Sequence, residues 1–596
     1  MREYSVPAVV TVGPTENCTD AVFRNAAEEP DVVVFARRRD GVWQDVSARE
    51  FLEEVVAVAK GLVAAGVQAG DRVALMSKTR YEWTLCDYAI WVCGGVTVPV
   101  YETSSPEQVE WIMADSGVVA AFVETGDHAA TVATVRDRLP HLREVWRLDN
   151  GAVATLSANG AHVADGLIEE RRAGIGSSSL ATVIYTSGTT GRPKGCELTH
   201  GNFVFDARNA TGEGLRELFS SDASTLLFIP LAHVFARLIQ VGCVENRVRM
   251  GHGPDAKNLL ADLATFRPTF ILSVPRVFEK VFNTARQKAH GEGKGRIFDA
   301  AAGTAIAYSE ARDAGGVGIG LRLRHMLFDR LVYGKLRSAL GGRVRYAVSG
   351  GAPLGARLGH FFRGIGVTVL EGYGLTETTA AATVNLPQAL KIGTVGRPIP
   401  GGGVKIAEDG EVLLRGGHIF VGYWNNPAAT EEVLDPDGWF HTGDLGELDA
   451  DGFLRLTGRK KEIIVTAGGK NVAPAVLEDR LRSHYLISQC MVVGDQQPFI
   501  GSLITLDPDT LPGWAEEKGK AGRTAKELKD DPDLLAEIQQ VVDDANKAVS
   551  KAEAIKKFRI LDVDFTEAGG QLTPTLKLKR TVVLKDFGQE IEALYS

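Results

Sequence analysis

The stretch YTSGTTGRPKG, residues 185–195, packs hydroxyls, glycines and a lysine into eleven positions. It follows the apolar run LATVI at 180–184, which reads as a buried strand. A glycine-rich loop leaving a strand lets backbone N–H groups approach phosphate oxygens closely. In the commonest loop of this kind the lysine follows a glycine and precedes Ser or Thr. Here Pro193 precedes Lys194 and Gly195 follows it, so a different phosphate chemistry is implied. Other stretches carry reactive groups. PLAHVFAR (230–237) sets His233 just after a strand, and SVPRVFEK (273–280) turns through a proline. SGGAPLG (349–355) is a second glycine-rich strand end, and EGYGLTET (371–378) joins Tyr373 to Glu377 across four residues. GWFHTGDLG (438–446) presents Asp444 after a tight turn, and TPTLKLKR (573–580) puts Lys577 and Lys579 close to the C-terminus. Singly, each has a plain reading as a loop histidine, a turn, a cap or a solvated lysine. Together and in this order, the plain reading fails.

These groups need a frame. Apolar runs at 118–123, 181–186, 225–230, 269–274, 344–349 and 367–372 each stop at or near Gly, Pro or Ser and alternate with helical segments. Residues 47–100 read as helix, strand, helix, strand. That alternation predicts an α/β layer structure, with ligands at the carboxyl ends of the strands. Residues 284–340 read as a surface helical insertion, and the charged segment 507–556 as solvated helices. After residue 401 short alternating strands joined by Asp-Gly turns take over, and a boundary is expected near 459–461.

The chain has 596 residues, so more than one domain is expected. A net charge of −9 with no basic run argues against a nucleic-acid surface. Six scattered cysteines show neither metal spacing nor a disulfide framework, which fits a reducing cytoplasm. Cys196 reads as a small buried thiol, because no His, Asn or Asp partner for a nucleophile is evident. The N-terminus lacks the pattern of a signal peptide, and the most apolar segment, 88–100, is too short and glycine-broken to span a bilayer. Membrane association, if any, is expected to be peripheral.

The set of stretches resembles the adenylate-forming superfamily, which contains acyl-CoA synthetases, luciferases and peptide-synthetase adenylation domains. YTSGTTGRPKG, GYGLTET and GWFHTGDLG are the most specific pieces, and the resemblance covers nearly the whole chain. VPVYETSSPEQVEWIMADS, PLAHVFAR, GRKKEIIVTAGGKNVAP and TPTLKLKR look like bacterial long-chain fatty-acid–CoA ligases. The resemblance implies a large N-terminal α/β domain (1–458) with layered sheets and a distorted β-barrel. It also implies a hinge at 459–461 and a small, mobile C-terminal α+β domain (462–596).

It implies ATP, Mg²⁺ and CoA as cofactor and co-substrates and a long-chain fatty acid as partner. A cytoplasmic place follows, with contact at the inner membrane face and a homodimer left open. Thr186, Ser187, Gly188, Thr189, Thr190, Gly191 and Lys194 would hold the β- and γ-phosphates, and Glu377 would bind Mg²⁺ with Thr186. Tyr373 would stack on adenine against a wall of Gly350, Gly351 and Ala352, with Gly372, Gly374 and Thr376 in the same nucleotide-side segment. Asp444 would accept from the ribose hydroxyls, and Arg459 would support the ribose and phosphate side. Lys577 would bridge carboxylate and α-phosphate, with Lys579 as the alternative. The family's usual Ser-Gly before this lysine is replaced here by Thr575-Leu576. Lys461 matches the hinge, and Gly468 and Gly469 would line the pantetheine route, although TAGGK reads equally well as a hairpin turn. His233 would sit between the acyl and CoA tunnels, and Arg237 occupies the position of an aromatic gate in some relatives. Phe235, Val274 and Val277 are candidates for the acyl tunnel. A ligase that hands its acyl-adenylate to a carrier protein, and a non-catalytic acyl- or nucleotide-binding homologue, are the alternatives.

Overall fold

Strands of four to seven residues, apolar on both faces, need cover on both sides, and helices between them supply it. The computed structural model describes residues 1–186, 192–212, 214–254, 258–573 and 576–596. Within it the apolar runs become strands Ala120–Val123, Leu180–Thr186, Ser224–Leu227, Phe270–Ser273, Tyr346–Ser349 and Thr368–Tyr373. They belong to two large sheets. One, of nine strands, runs Arg397–Pro398, Thr383–Val384, Thr368–Tyr373, Tyr346–Ser349, Phe270–Ser273, Ser224–Leu227, Arg249–His252, Val33–Arg39, Val42–Ser47. Its pairs from Thr368–Tyr373 through to Val33–Arg39 are parallel, so these strands end on one edge. The other, of seven strands, has Leu180–Thr186 at its centre-left, paired antiparallel with Lys194–Thr199 and parallel with Val96–Val100.

Helix Ala48–Ala64 is opened by a capping box of Ser47 and Glu50 and buries Phe51, Val55, Val58 and Leu62 between layers. A third, five-stranded antiparallel sheet curls with bulges near Leu413 and Leu445 and supplies the barrel-like element. It carries Phe440–Leu448 and Leu454–Arg459 side by side, with Asp444 opposite Arg459. The C-terminal domain is a three-stranded sheet, Ile487–Val493, Ile500–Leu506 and Ile555–Ile560.

Two expectations change. The segment 284–340 is not simply a surface insertion. Helix Gly295–Asp313 buries Phe298, Ala301 and Ala305, and Gly364 sits so close to the Ala305 carbonyl that a Cβ would stand 2.1 Å from it. Helix Ile319–Phe328 has no buried residue, and the chain after it returns to the core through Tyr333 and Leu340. Nor are the helices within 507–556 merely solvated, because Trp514, Leu528, Leu534, Ile538 and Val542 pack into the C-terminal core. Charge on their outer faces hid an apolar stripe at helical spacing.

Candidate active site

Three strand ends and one C-terminal loop meet. The loop 185–195 turns out to join two antiparallel strands, with Thr186 opposite Lys194. Ser187, Gly188, Thr189, Thr190 and Gly191 lie outside the described residues. Its flank is anchored by Trp111, whose indole N–H donates to the Pro193 carbonyl at 2.8 Å, and by Tyr185, which donates to Asp115 at 2.5 Å. The Lys194 ammonium sits over the Tyr423 ring, 4.9 Å from its centroid.

Tyr423 also donates its hydroxyl to Glu377 Oε1 at 2.8 Å. Burial and then Glu377 push that phenol well up, so it stays a donor. Tyr423 thus touches both the lysine and the carboxylate. Sequence reading missed it, since VGYWNNP has no motif, and only the pairing of Gly422–Tyr423 with Lys194–Thr199 reveals it. Behind this group Cys196 is fully buried, close to Thr186, Glu377 and Lys194, and burial followed by Glu377 raises its thiol far above reactive range. Glu377 and Thr186 therefore share one corner. A carboxylate and a hydroxyl, both oxygen donors, suit a hard divalent cation that takes one or two ligands from protein.

Strand Thr368–Tyr373 delivers Tyr373, whose hydroxyl donates to Asp444 Oδ2 at 2.5 Å. Arg459 Nε donates to the other oxygen at 2.8 Å. Asp444 is thereby clamped between Tyr373 and Arg459. The glycines nearby differ in purpose. Gly374 is required by packing, because a Cβ would stand 1.9 Å from the Ala380 carbonyl. Gly351 has φ +85°, which disfavours other residues. At Gly350 a Cβ would meet nothing nearer than 3.8 Å, the neighbours being the Gly372 carbonyl and the Phe235 ring. Protein packing alone does not demand glycine there, and the bare backbone leaves a smooth face. Val274 is the neighbour of Gly351 at the same distance, so Phe235 and Val274 flank this wall. Ala352 is exposed beside it, and Thr376 opens the short turn Thr376–Thr378 that presents Glu377.

Lys577 comes from the other domain. Its side chain is exposed to the cleft, yet surrounding chain and then Arg459 push its ammonium below the ordinary lysine value, while Asp444 and Glu377 oppose. The lysine thus lies among Arg459, Asp444 and Glu377. It also lowers His233, whose imidazole falls to about 3 mainly through burial. His233 Nδ1 accepts the Phe235 N–H at 3.1 Å, capping helix Val234–Glu245, so its remaining proton sits on Nε2. Lys579 only precedes helix Arg580–Asp586, with its N–H on the Gln571 carbonyl. Leu576, just before Lys577, has φ +60°, a left-handed conformation suited to glycine. That accounts for the glycine in the resembling pattern; Thr575 lies outside the described residues.

The C-terminal domain reaches this position by resting on helix Pro275–Gly291. Arg276 donates to Ser488 and Asp507, and Lys280 pairs with Asp509. Lys461 is exposed in the turn Lys460–Glu462, whose Lys460 pairs with Asp409 at 2.5 Å and Glu411 at 3.2 Å. Gly468 and Gly469 form an exposed hairpin turn closed by Gly469 N–H to Thr466, with no described contact to the Lys577 group.

Arg237 does not gate this cleft. It is fully buried, paired with Asp87 at 2.6 Å, bonded to Thr182, and stacked against Trp83, Trp91 and Phe203. The position expected of a gate points into the core.

The chain belongs to the AMP-binding enzyme family, whose model matches residues 22–424, with the AMP-binding enzyme C-terminal domain matching 461–596. It is 55% identical over 600 residues to the long-chain-fatty-acid–CoA ligase FadD15 of Mycobacterium tuberculosis and of Mycobacterium bovis, covering 100% of each chain. The long-chain-fatty-acid–CoA ligase ACSBG2 of Xenopus laevis is 31% identical over 95% of this chain and 82% of its own. Among solved structures, the anthranilate CoA ligase AuaEII in complex with anthranoyl-AMP superposes with a TM-score of 0.72 at 20% identity, over 97% of this chain and 98% of that one. The A-PCP didomain of carboxylic acid reductase from Segniliparus rugosus with AMP gives 0.74 at 22%, over 97% and 82%. These two likenesses concern the fold.

Proposed function

We propose that this protein is an ATP-dependent long-chain fatty-acid–CoA ligase that works through an acyl-adenylate. The observation that carries the reading is the placement of Lys577 from the C-terminal domain among Glu377, the Asp444–Arg459 pair and His233. Full-length identity to long-chain ligases supports the substrate class.

In the first half-reaction a fatty carboxylate oxygen attacks the α-phosphorus of ATP. The bond to the bridging oxygen breaks and pyrophosphate leaves. Two anions must approach each other, so the protein's task is to hold them and neutralise charge. Lys577 bridges the carboxylate and the α-phosphate oxygens, while Lys194 takes the outer phosphates. Glu377 and Thr186 would hold Mg²⁺, which when bound neutralises phosphate charge. Tyr373 offers its ring to adenine, its plane fixed by the bond to Asp444, and Asp444 accepts from the ribose hydroxyls. In the second half-reaction the CoA thiol attacks the acyl carbonyl, AMP departs and a thioester forms. We assign rotation about 459–461 to withdraw Lys577 between the two. His233, neutral at working pH, serves at the junction as a hydrogen-bonding group.

Fourteen methylenes gain on the order of 11 kcal/mol on burial, before ordering costs. Phe235 and Val274, which flank the Gly350–Gly351 wall, offer apolar surface to such a chain. Among the described residues no helix is long and apolar enough to cross a membrane. We place the protein in the cytoplasm with peripheral contact to lipid. The test is acyl-CoA formation from palmitate and from hexanoate with ATP, Mg²⁺ and CoA. Efficient turnover of palmitate supports the reading, and turnover of hexanoate alone overturns it.

A further inference from the structure

Helix Ile319–Phe328 turns most of its apolar residues outward. Its inner face packs Phe328 against the core and otherwise holds polar contacts: Arg324 donates to Thr304 Oγ1 at 2.7 Å, and His325 bonds the Gly364 carbonyl at 2.6 Å and stacks on Tyr308 at 3.9 Å. Four of its apolar residues face solvent. Ile319 is 77% exposed, Leu323 58%, Met326 57%, Leu327 56% and, just beyond, Leu331 50%. Their spacing puts them on one stripe. Arg322 and Arg330 are exposed along it and pair with no carboxylate among the described residues. Residues 314–340 contain five Lys or Arg against one Asp, in a chain of net charge −9. An outward apolar stripe edged with arginine on a surface-lying helix is the pattern of a segment that beds into a bilayer interface.

We propose that this helix docks the protein onto an anionic lipid surface. A second copy of the chain is the poorer occupant. A two-fold contact would set Arg322 and Arg330 against their own equivalents, and like charges repel. An anionic headgroup layer instead attracts the arginines while the acyl region takes the leucines and Met326. The inference rests on the ligase reading only for its use, since a long-chain acid dissolves in membranes and would be collected there.

The test uses the full chain without substrates, so its failure is separate from failure of the ligase reading. Flotation is measured with vesicles of phosphatidylcholine alone and of phosphatidylcholine with equal phosphatidylglycerol. The wild type is expected to bind the anionic vesicles at least tenfold more tightly, with affinity falling as salt rises. Leu323→Gln, Met326→Gln and Leu327→Gln together should cost at least tenfold. Arg322→Gln with Arg330→Gln should cost severalfold and flatten the salt dependence. All these side chains are exposed, and an unchanged thermal transition verifies folding. Absence of wild-type binding, or equal binding by the triple variant, overturns the proposal. A wild-type dimer that the triple variant dissolves in sedimentation also overturns it, assigning the stripe to a second copy.

Discussion

Replacing Lys577 by alanine should split the two half-reactions. The ammonium lies in a solvent-contacting cleft, so an effective dielectric of about 20 applies, and a unit charge in contact at roughly 4 Å is worth about 4 kcal/mol. Losing that in the transition state alone lowers the rate by about 10³. Lys577→Ala should therefore slow pyrophosphate release from ATP and palmitate about a thousandfold. Conversion of supplied palmitoyl-AMP and CoA to palmitoyl-CoA should stay within about threefold, because the lysine has left by then. Lys579→Ala should leave both steps near wild type. The pH profile gives an independent readout. Desolvation by the surrounding chain and then Arg459 hold Lys577 below the usual lysine value, and the step needs the protonated form. Wild-type adenylation should thus decline on the alkaline side before free lysine would titrate, and the thioester step should lack that limb. Equal loss in both half-reactions, or full adenylation by the variant, would refute the assignment.

Tyr423→Phe keeps the ring under Lys194 but removes a hydrogen bond to a charged carboxylate. That is worth about 1.5–3 kcal/mol, so kcat/KM for ATP should fall about 10- to 100-fold, with more Mg²⁺ partly restoring it. An unchanged Mg²⁺ response would separate Tyr423 from the metal corner. Arg237→Ala leaves Asp87 buried and unpaired, and should destabilise by about 3–5 kcal/mol in denaturant unfolding, with little change in KM for palmitate. Normal stability with altered acyl-chain preference would return Arg237 to a gate. Buried His200 (about 3), His252 (about 4) and His418 (about 4) stay neutral in the fold. The unfolded chain takes up protons below about pH 6.5 that the fold refuses, so stability should fall from there towards pH 4. His252→Gln, which can keep the bond to Thr84, should flatten the pH dependence of Tm.

Strand ends were legible because an apolar run that stops at Gly, Pro or Ser reports both burial and direction. The runs ending at Thr186, Ser349 and Gly372 became strands whose ends carry the candidate site. Asp444 and Arg459 were named from separate motifs, and the antiparallel register brings them opposite each other. What sequence hid is what depends on pairing between distant elements. Tyr423 reaches Glu377 only because a two-residue strand adds to the edge beside Cys196. Arg237 stands where some relatives carry an aromatic gate, and its core placement was not legible because its buried partner, Asp87, lies 150 residues earlier. The helix at 319–328 shows the converse. It reads from sequence as part of a surface helical insertion, but which of its faces meets the protein is decided by Thr304, Tyr308 and Gly364, whose positions no local pattern gives.

The most direct test is mass spectrometry of products from a mixed pool of fatty acids with ATP and Mg²⁺, run with and without CoA. The account predicts long-chain acyl-AMP without CoA and long-chain acyl-CoA with it. Acyl-AMP that persists when CoA is present would contradict CoA as the acceptor, and no adenylate from any acid would contradict the central claim.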